Sequence, residues 1–315
     1  MAEKKRKRSD SSLSHFMSRE VKDLLSIDLY RSCAAEFIGM ILLNFMACGT
    51  ALSNPGNPIA VSLEAGFFVG CAIRTLSTVS GGHVNPAISL GFMLLGHITV
   101  VRFIFYSIIQ TLGAASGTAL LKTLAPANVT VDMLGVILPA PGVSDTQALI
   151  CEMVITFFLL FGTFAMIDPK RDDVNGFAPL QIGFIVVVNI VSTYHLSGGC
   201  MNPARTFGPA IVAGKYDRMW IYWVGDMSGA IVGALLYDKV FSTKVSTHFM
   251  KRNCWSSKQE EEEPLEEMKK LYVPHLREEC IPHLPEEYAP HLGADYKLKY
   301  LKEKSVLETE RETVC

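Results

Sequence analysis

Ser80-Gly-Gly-His-Val-Asn-Pro-Ala87 and Ser197-Gly-Gly-Cys-Met-Asn-Pro-Ala204 are two copies of one stretch. They agree at Ser, both Gly, Asn, Pro and Ala, and again at Gly91 and Gly208 further on, so the chain is an internal duplication. Each copy runs from Asn-Pro-Ala into a mostly apolar segment. Asn caps a helix with its side chain, and Pro at the first helical position loses no N–H that the helix needs. Two helix N-termini are therefore expected at equivalent places in two halves: Asn85, Pro86 and Ala87 in one, Asn202, Pro203 and Ala204 in the other.

The 315 residues are 49% hydrophobic and only 19% charged, and the charge is segregated. Lys4 to Arg8 form a basic run and Glu260 to Glu263 an acidic one, while the middle of the chain is nearly uncharged. That distribution belongs to a polytopic membrane protein, and the net charge of −2 conceals it. Cys33, Cys48, Cys71 and Cys151 fall in apolar spans, and Cys254, Cys280 and Cys315 in a polar tail, with no metal or disulfide spacing. The first apolar segment is too long for a signal-peptide core and reads as a retained span.

Spans are expected at 32–53, 59–79, 100–122, 147–168, 177–195 and 219–241, each near the ~20 residues that a bilayer core requires. The two Asn-Pro-Ala segments lie between the second and third and between the fifth and sixth. Their apolar runs are too short to cross and fit re-entrant half-helices. Three crossings per half is an odd number, so the halves are inserted upside down relative to each other. The expected fold is an all-α membrane protein of six transmembrane helices plus two half-helices in an inverted repeat.

Residues 1–31 read as a basic, disordered cytoplasmic segment, 32–242 as the membrane-spanning domain and 243–315 as a disordered cytoplasmic tail. Arg102, Lys170 and Arg171 fall in connections placed inside by a cytoplasmic N-terminus, as the positive-inside rule asks. The sequon Asn128-Val-Thr130 comes out extracellular, where glycosylation can occur. The tail repeats Pro-His-Leu three times, with His275, His283 and His291 as weak metal or partner sites. Its end, Thr313-Val-Cys315, has the form of a PDZ-domain ligand.

Two half-helices entering from opposite faces meet near the membrane centre with their positive dipole ends together, which repels cations. Asn85 and Asn202 cap their own helices and can each still offer an N–H to a lumen. Such a lumen passes a small neutral hydrogen-bonding molecule and makes an ion shed its hydration against a positive potential. Arg205, directly after the second motif, is a costly buried charge expected at the narrow point. Glu36 and Glu152, at matching positions in the first span of each half, are expected to accept N–H groups from the non-helical loops.

Over residues 31–242 the chain resembles the aquaporins, the major intrinsic proteins, carrying both Asn-Pro-Ala motifs, Arg205 and both glutamates. The resemblance implies a right-handed six-span bundle, one pore per subunit, and a homotetramer in membrane lipid without cofactor. Glycerol-conducting members usually have Asp after the arginine, where this chain has Thr206, and Pro-Leu where it has Tyr222-Trp223. Matching by distance from each motif puts Ala65, Ile190, Gly199 and Arg205 in the outer filter, where orthodox water channels have an aromatic ring, a histidine and a small residue beside the arginine. The filter is thus expected to be wide, with one apolar wall. The Ile190 and Gly199 pair and the Gly-Gly-Cys-Met stretch resemble the aquaporin-8-like branch, and Ala65 departs from it. Glu64 is a second departure, a carboxylate beside the filter that either lines the mouth or bonds to backbone or a neighbouring subunit. Cys200, next to the filter, is a possible site for a pore-blocking thiol reagent.

The expected function is a passive channel for water and small neutral solutes such as ammonia, hydrogen peroxide, glycerol or urea, in the plasma membrane. A glycerol-selective channel, an ion-coupled transporter and a non-conducting scaffold acting through the tail are the alternatives. A transporter needs a charged coupling-ion site that the two motifs do not supply. No nucleophile–base pair or metal cluster points to an enzyme.

Overall fold

Polar side chains mark most of the helix starts. Ser26, Asn57, Asn85, Thr99, Ser144 and Asn202 each stand just before a helix and accept an N–H from its first turn. Ser144 and Gln147 complete a capping box. The computed structural model describes residues 14, 16–130, 133–169 and 176–243.

In chain order the helices are α1 (16–24), α2 (Ile27–Ser53), α3 (Pro58–Leu76), α4 (Pro86–Leu94), α5 (Val100–Leu124), α6 (Asp145–Met166), α7 (Ala178–Thr193), α8 (Pro203–Ala213) and α9 (Met219–Leu236). A π-helical turn, Tyr237–Phe241, extends α9. The helices α2, α3, α5, α6 and extended α9 are long and apolar enough to cross a membrane, and α7 is a shorter apolar helix of 16 residues. The short helices α4 and α8, of 9 and 11 residues, are the two half-helices.

Packing follows the duplication. In the first half α2 packs on α5, and in the second α6 packs on α9. The second spans, α3 and α7, pack on each other, joining the halves. Each half-helix packs against the third span of the other half, α4 on α9 and α8 on α5. Gly66 and Gly183 let α3 and α7 close up: a Cβ on Gly183 would lie 2.4 Å from the Gly66 carbonyl oxygen, and one on Gly66 2.5 Å from that of Gly183. Small residues at helix contacts are how membrane helices gain packing that lipid does not give them.

Polarity is arranged inside out. Ile104, Ile108 and Leu112 on α5, and Ile150, Val154 and Phe158 on α6, are exposed at helical spacing, while Glu36, Asn44, Gln110, Glu152 and Asp226 are fully buried. Polar groups in a membrane protein belong where other polar groups can satisfy them.

The N-terminal expectation is corrected for residues 16–31. These form α1 and the start of α2, five residues earlier than the span read from the sequence. Arg102, expected in a connection, lies in the first turn of α5 and grips α1 and the start of α2: Nη2 and Nε donate to Asp23 of α1 at 2.6 and 3.1 Å, and Nη2 to Asp28 of α2 at 3.0 Å. Glu20 adds an acceptor for the Val101 N–H at 2.9 Å. Sequence hydropathy sees only charges here, whereas the fold pairs them. Lys170, Arg171 and the tail with its Pro-His-Leu units lie outside the described residues.

Candidate functional site

The two non-helical loops are held by the two expected glutamates. Glu36 accepts the N–H of His83 at 2.9 Å and of Val84 at 2.6 Å, together with the Ser80 hydroxyl at 2.7 Å and the Gln110 amide at 2.8 Å. Glu152 accepts the N–H of Cys200 at 3.0 Å and of Met201 at 2.9 Å. Val84 and Met201, each just before the motif asparagine, have φ of 41° and 54°. A non-glycine residue in that region costs about 1–3 kcal/mol, and for a β-branched valine the conformation is a true outlier. The buried carboxylates over-determine the loop and offset that strain.

Both loops are buttressed from the third span of their own half by a tyrosine. Tyr106 donates to the Ser80 carbonyl and Tyr222 to the Ser197 carbonyl, each at 2.8 Å. Tyr222, read in the sequence only as a subfamily marker, is therefore a structural residue of the second loop.

Asn85 caps α4 through the Ala87 N–H at 2.8 Å, and Asn202 caps α8 through the Arg205 N–H at 3.3 Å. Each also reaches across the duplication. The Asn85 amide donates to Met201 O at 2.7 Å and the Asn202 amide to Val84 O at 2.8 Å. One N–H of each carboxamide is thus spent in holding the other loop, and the second is left for the lumen.

One cavity of about 390 Å³ carries both asparagines in its wall, together with all four expected filter residues, Ala65, Ile190, Gly199 and Arg205. Val61, Glu64, Ala65, Val69 and Ile73 line it along α3, and Ile182, Val186 and Ile190 along α7. From Val61 to Ile73 is roughly 18 Å at 1.5 Å per residue, so the cavity follows the helices lengthwise. Its wall is mainly aliphatic, with the asparagines, Arg205, Glu64, His83, Thr163, Tyr194 and His195 among its polar points.

Arg205 is nearly buried, and its Nη1 donates to the Gly135 carbonyl at 2.9 Å. Pro209 on α8 has no N–H to offer the Arg205 carbonyl one turn back, and the Asn44 amide of α2 fills that role at 3.2 Å. The repeated Gly208 is the counterpart of this approach, since a Cβ there would lie 2.4 Å from the Asn44 amide nitrogen. Glu64, which is not near Arg205 in sequence, lies within its field, and both its carboxylate oxygens are buried without a hydrogen-bond partner among the described residues. Backbone bonding of Glu64 is therefore not its role within this subunit. Cys200 faces the cavity but is buried, with its sulfur 3.1 Å from the Asn202 carbonyl and 2.6 Å from the Thr206 hydroxyl. Asn128 is exposed.

Sequence reading missed His83, Asn44, Gln110, Asp226 and Tyr106. Tyr106 was within reach, because sliding the first half onto the second pairs it with Tyr222. The same shift pairs Gln110 with Asp226. Asn44 had no such signal, since its counterpart in the second half is Leu160.

Two loops entering one lumen, each carrying a capped helix N-terminus, define a membrane channel built as an inverted repeat. A model of the family described as "Major intrinsic protein" matches residues 23–237. The chain belongs to that family, the aquaporins. It is 36% identical over 232 residues to "Probable aquaporin TIP-type RB7-5A" of Nicotiana tabacum, covering 70% of this chain and 91% of that one. With Aquaporin-4 of Rattus norvegicus it shares 35% identity over 223 residues, 69% of each chain. The solved aquaglyceroporin from Plasmodium falciparum has the same fold, with TM-score 0.58 and 23% identity over 70% of this chain and 99% of that one.

Proposed function

We propose that the protein is a passive channel that conducts water and small neutral solutes and excludes ions and protons. The observation that carries this reading is the placing of Asn85, Asn202 and Arg205 in the wall of one mainly aliphatic cavity. A solute there meets fixed donors at two helix N-termini. An ion meets the same positive ends and a mainly aliphatic wall that replaces little of its hydration shell. With Ala65 and Ile190 in place of larger polar side chains, the outer filter is wide and half apolar, which favours ammonia, hydrogen peroxide, urea or glycerol beside water.

The unit is a homotetramer in the plasma membrane, with Asn128 as a glycosylation site and the C-terminal Thr-Val-Cys as a ligand for a cytosolic PDZ domain. Crosslinking in native membrane, surface biotinylation, glycosidase digestion and peptide pull-down test these four points separately. The channel itself is tested by solute-resolved stopped-flow permeability of proteoliposomes, with and without residues 245–315. Fast water flux with low activation energy and no ion conductance supports the proposal. Flux no faster than bare lipid overturns it.

A further inference from the structure

Glu64 lines the cavity wall, and the channel reading leaves it without work. A buried carboxyl with neither oxygen hydrogen-bonded costs several kcal/mol, so a fold keeps one only where some partner reaches it. Neither oxygen of Glu64 finds one among the described residues, and the side chain borders the cavity next to the filter residue Ala65. The charge that acts on it is that of Arg205, which comes from α8 while Glu64 comes from α3. The two therefore occupy different walls of the same passage.

Three of the other polar side chains that line the passage, alongside His83, Thr163, Tyr194 and His195, act as donors. Arg205 has only N–H groups, and Asn85 and Asn202 have spent their carboxamide oxygens on their own helix caps. Glu64, in either protonation state, keeps an acceptor oxygen. Beside Ala65 it puts into the mouth an acceptor that these three donors do not supply.

We propose that Glu64 is a specificity-determining residue of the pore, an acceptor that works with the Arg205 donor to select neutral solutes carrying both kinds of group, of which urea and small polyols are the class. Such a solute bridges the two walls, accepting from the guanidinium and donating to the carboxyl. Water gains less, since it is too small to span a filter that lacks the usual aromatic ring. This inference rests on the channel reading and deepens it.

The test is the urea-to-water and glycerol-to-water permeability ratio in proteoliposomes of wild-type protein, Glu64→Gln, Glu64→Leu and Glu64→Met. The two apolar variants are run together because one of them can fail to assemble, and water flux reports assembly. Glu64→Leu or Glu64→Met is expected to lower both ratios roughly five-fold, the worth of about one net hydrogen bond. Glu64→Gln, which keeps an acceptor of the same length, is expected to stay within about two-fold of wild type. Unchanged ratios in the apolar variants overturn the inference, as does an equal loss in Glu64→Gln, which makes charge rather than acceptance the cause. Wild-type protein that conducts water but neither urea nor glycerol overturns it while leaving the channel reading intact. Wild-type protein that conducts nothing overturns the channel reading instead.

Discussion

The Asn85 amide reaches the carbonyl of Met201, 2.7 Å away in the other half of the duplication, and Asn202 returns the bond to Val84 at 2.8 Å. Each motif thereby fixes the loop that leads into the other. Neither half-helix has a defined start without its twin, which ties the two dipole ends that guard the lumen into one unit.

Asn85→Ala removes a helix cap, worth about 1 kcal/mol, and strips the Met201 carbonyl of its donor, worth about 1–3 kcal/mol. Asn202→Ala does the same in mirror image. Because the bonds are reciprocal, the double variant is expected to lose less stability than the two single losses combined. Thermal unfolding in detergent of the four proteins in this cycle reads it directly. Strict additivity means that the loops are held independently.

The width of the filter makes a prediction at Ala65. A phenylalanine there restores the ring that orthodox water channels have, and should cut urea, glycerol and ammonia flux more than water flux. Equal losses for every solute argue against a wide filter. Arg205→Val should loosen the exclusion of larger and charged solutes. Its neighbourhood gives a second readout: the Gly135 carbonyl loses its Nη1 partner, while Asn44 keeps the Arg205 backbone bond at residue 205. Folding should therefore survive, and unchanged selectivity in oocyte swelling would take Arg205 out of the filter.

How far the sequence reaches is visible in these residues. Asn-Pro-Ala twice, with glutamates at matching positions, made the inverted repeat and both half-helices legible, because periodic and duplicated features are written locally. Counting from the motifs picks out four expected filter positions, and all four line one cavity. What stayed hidden was long-range pairing. That Asn44 replaces the N–H missing at Pro209, or that Arg102 converts part of a charged N-terminal stretch into a docked helix, depends on separations of dozens of residues in sequence and a few ångströms in space. Such bonds join single residues with no repeat to betray them. Glu64 was conspicuous as a charge in a span, but only the cavity wall shows which side it faces.

The axis between the halves is tested at Gly183. A methyl group there would sit 2.4 Å from the Gly66 carbonyl oxygen, a backbone atom that cannot turn aside, so α3 and α7 have to separate. Gly183→Ala should cost about 1–3 kcal/mol by overpacking, and Gly183→Leu should prevent stable folding. Both helices carry proposed filter residues, Ala65 and Ile190. Whatever Gly183→Ala protein folds should therefore also show altered solute ratios. Normal melting temperature and normal selectivity in Gly183→Ala would mean that the two helices are not in the contact described.

The last prediction concerns the grip of α5 on α1. Burial alone would raise the Asp23 carboxyl, but hydrogen bonds from Arg102, Thr99 and Ser26 and the Arg102 charge outweigh it and hold its pKa below the ordinary 3.8. A carboxyl whose pKa is lowered by folding contributes stability that is fully present above that ordinary value and is lost as pH falls through the lower, folded one. Docking of α1 should thus be complete at neutral pH and weaken below about pH 4, the ordinary carboxylate range. Hydrogen exchange of amides 16–24, corrected for intrinsic rates, should show protection at pH 6 that fades by pH 3. Arg102→Met should remove the protection at neutral pH as well. The lost charged hydrogen bonds are worth about 2 kcal/mol, so trypsin cleavage after Arg19 and Lys22 should speed up by roughly thirty-fold. Protection that is the same at both pH values, or the same in Arg102→Met, would show that α1 is held by something other than the Asp23–Arg102 pair.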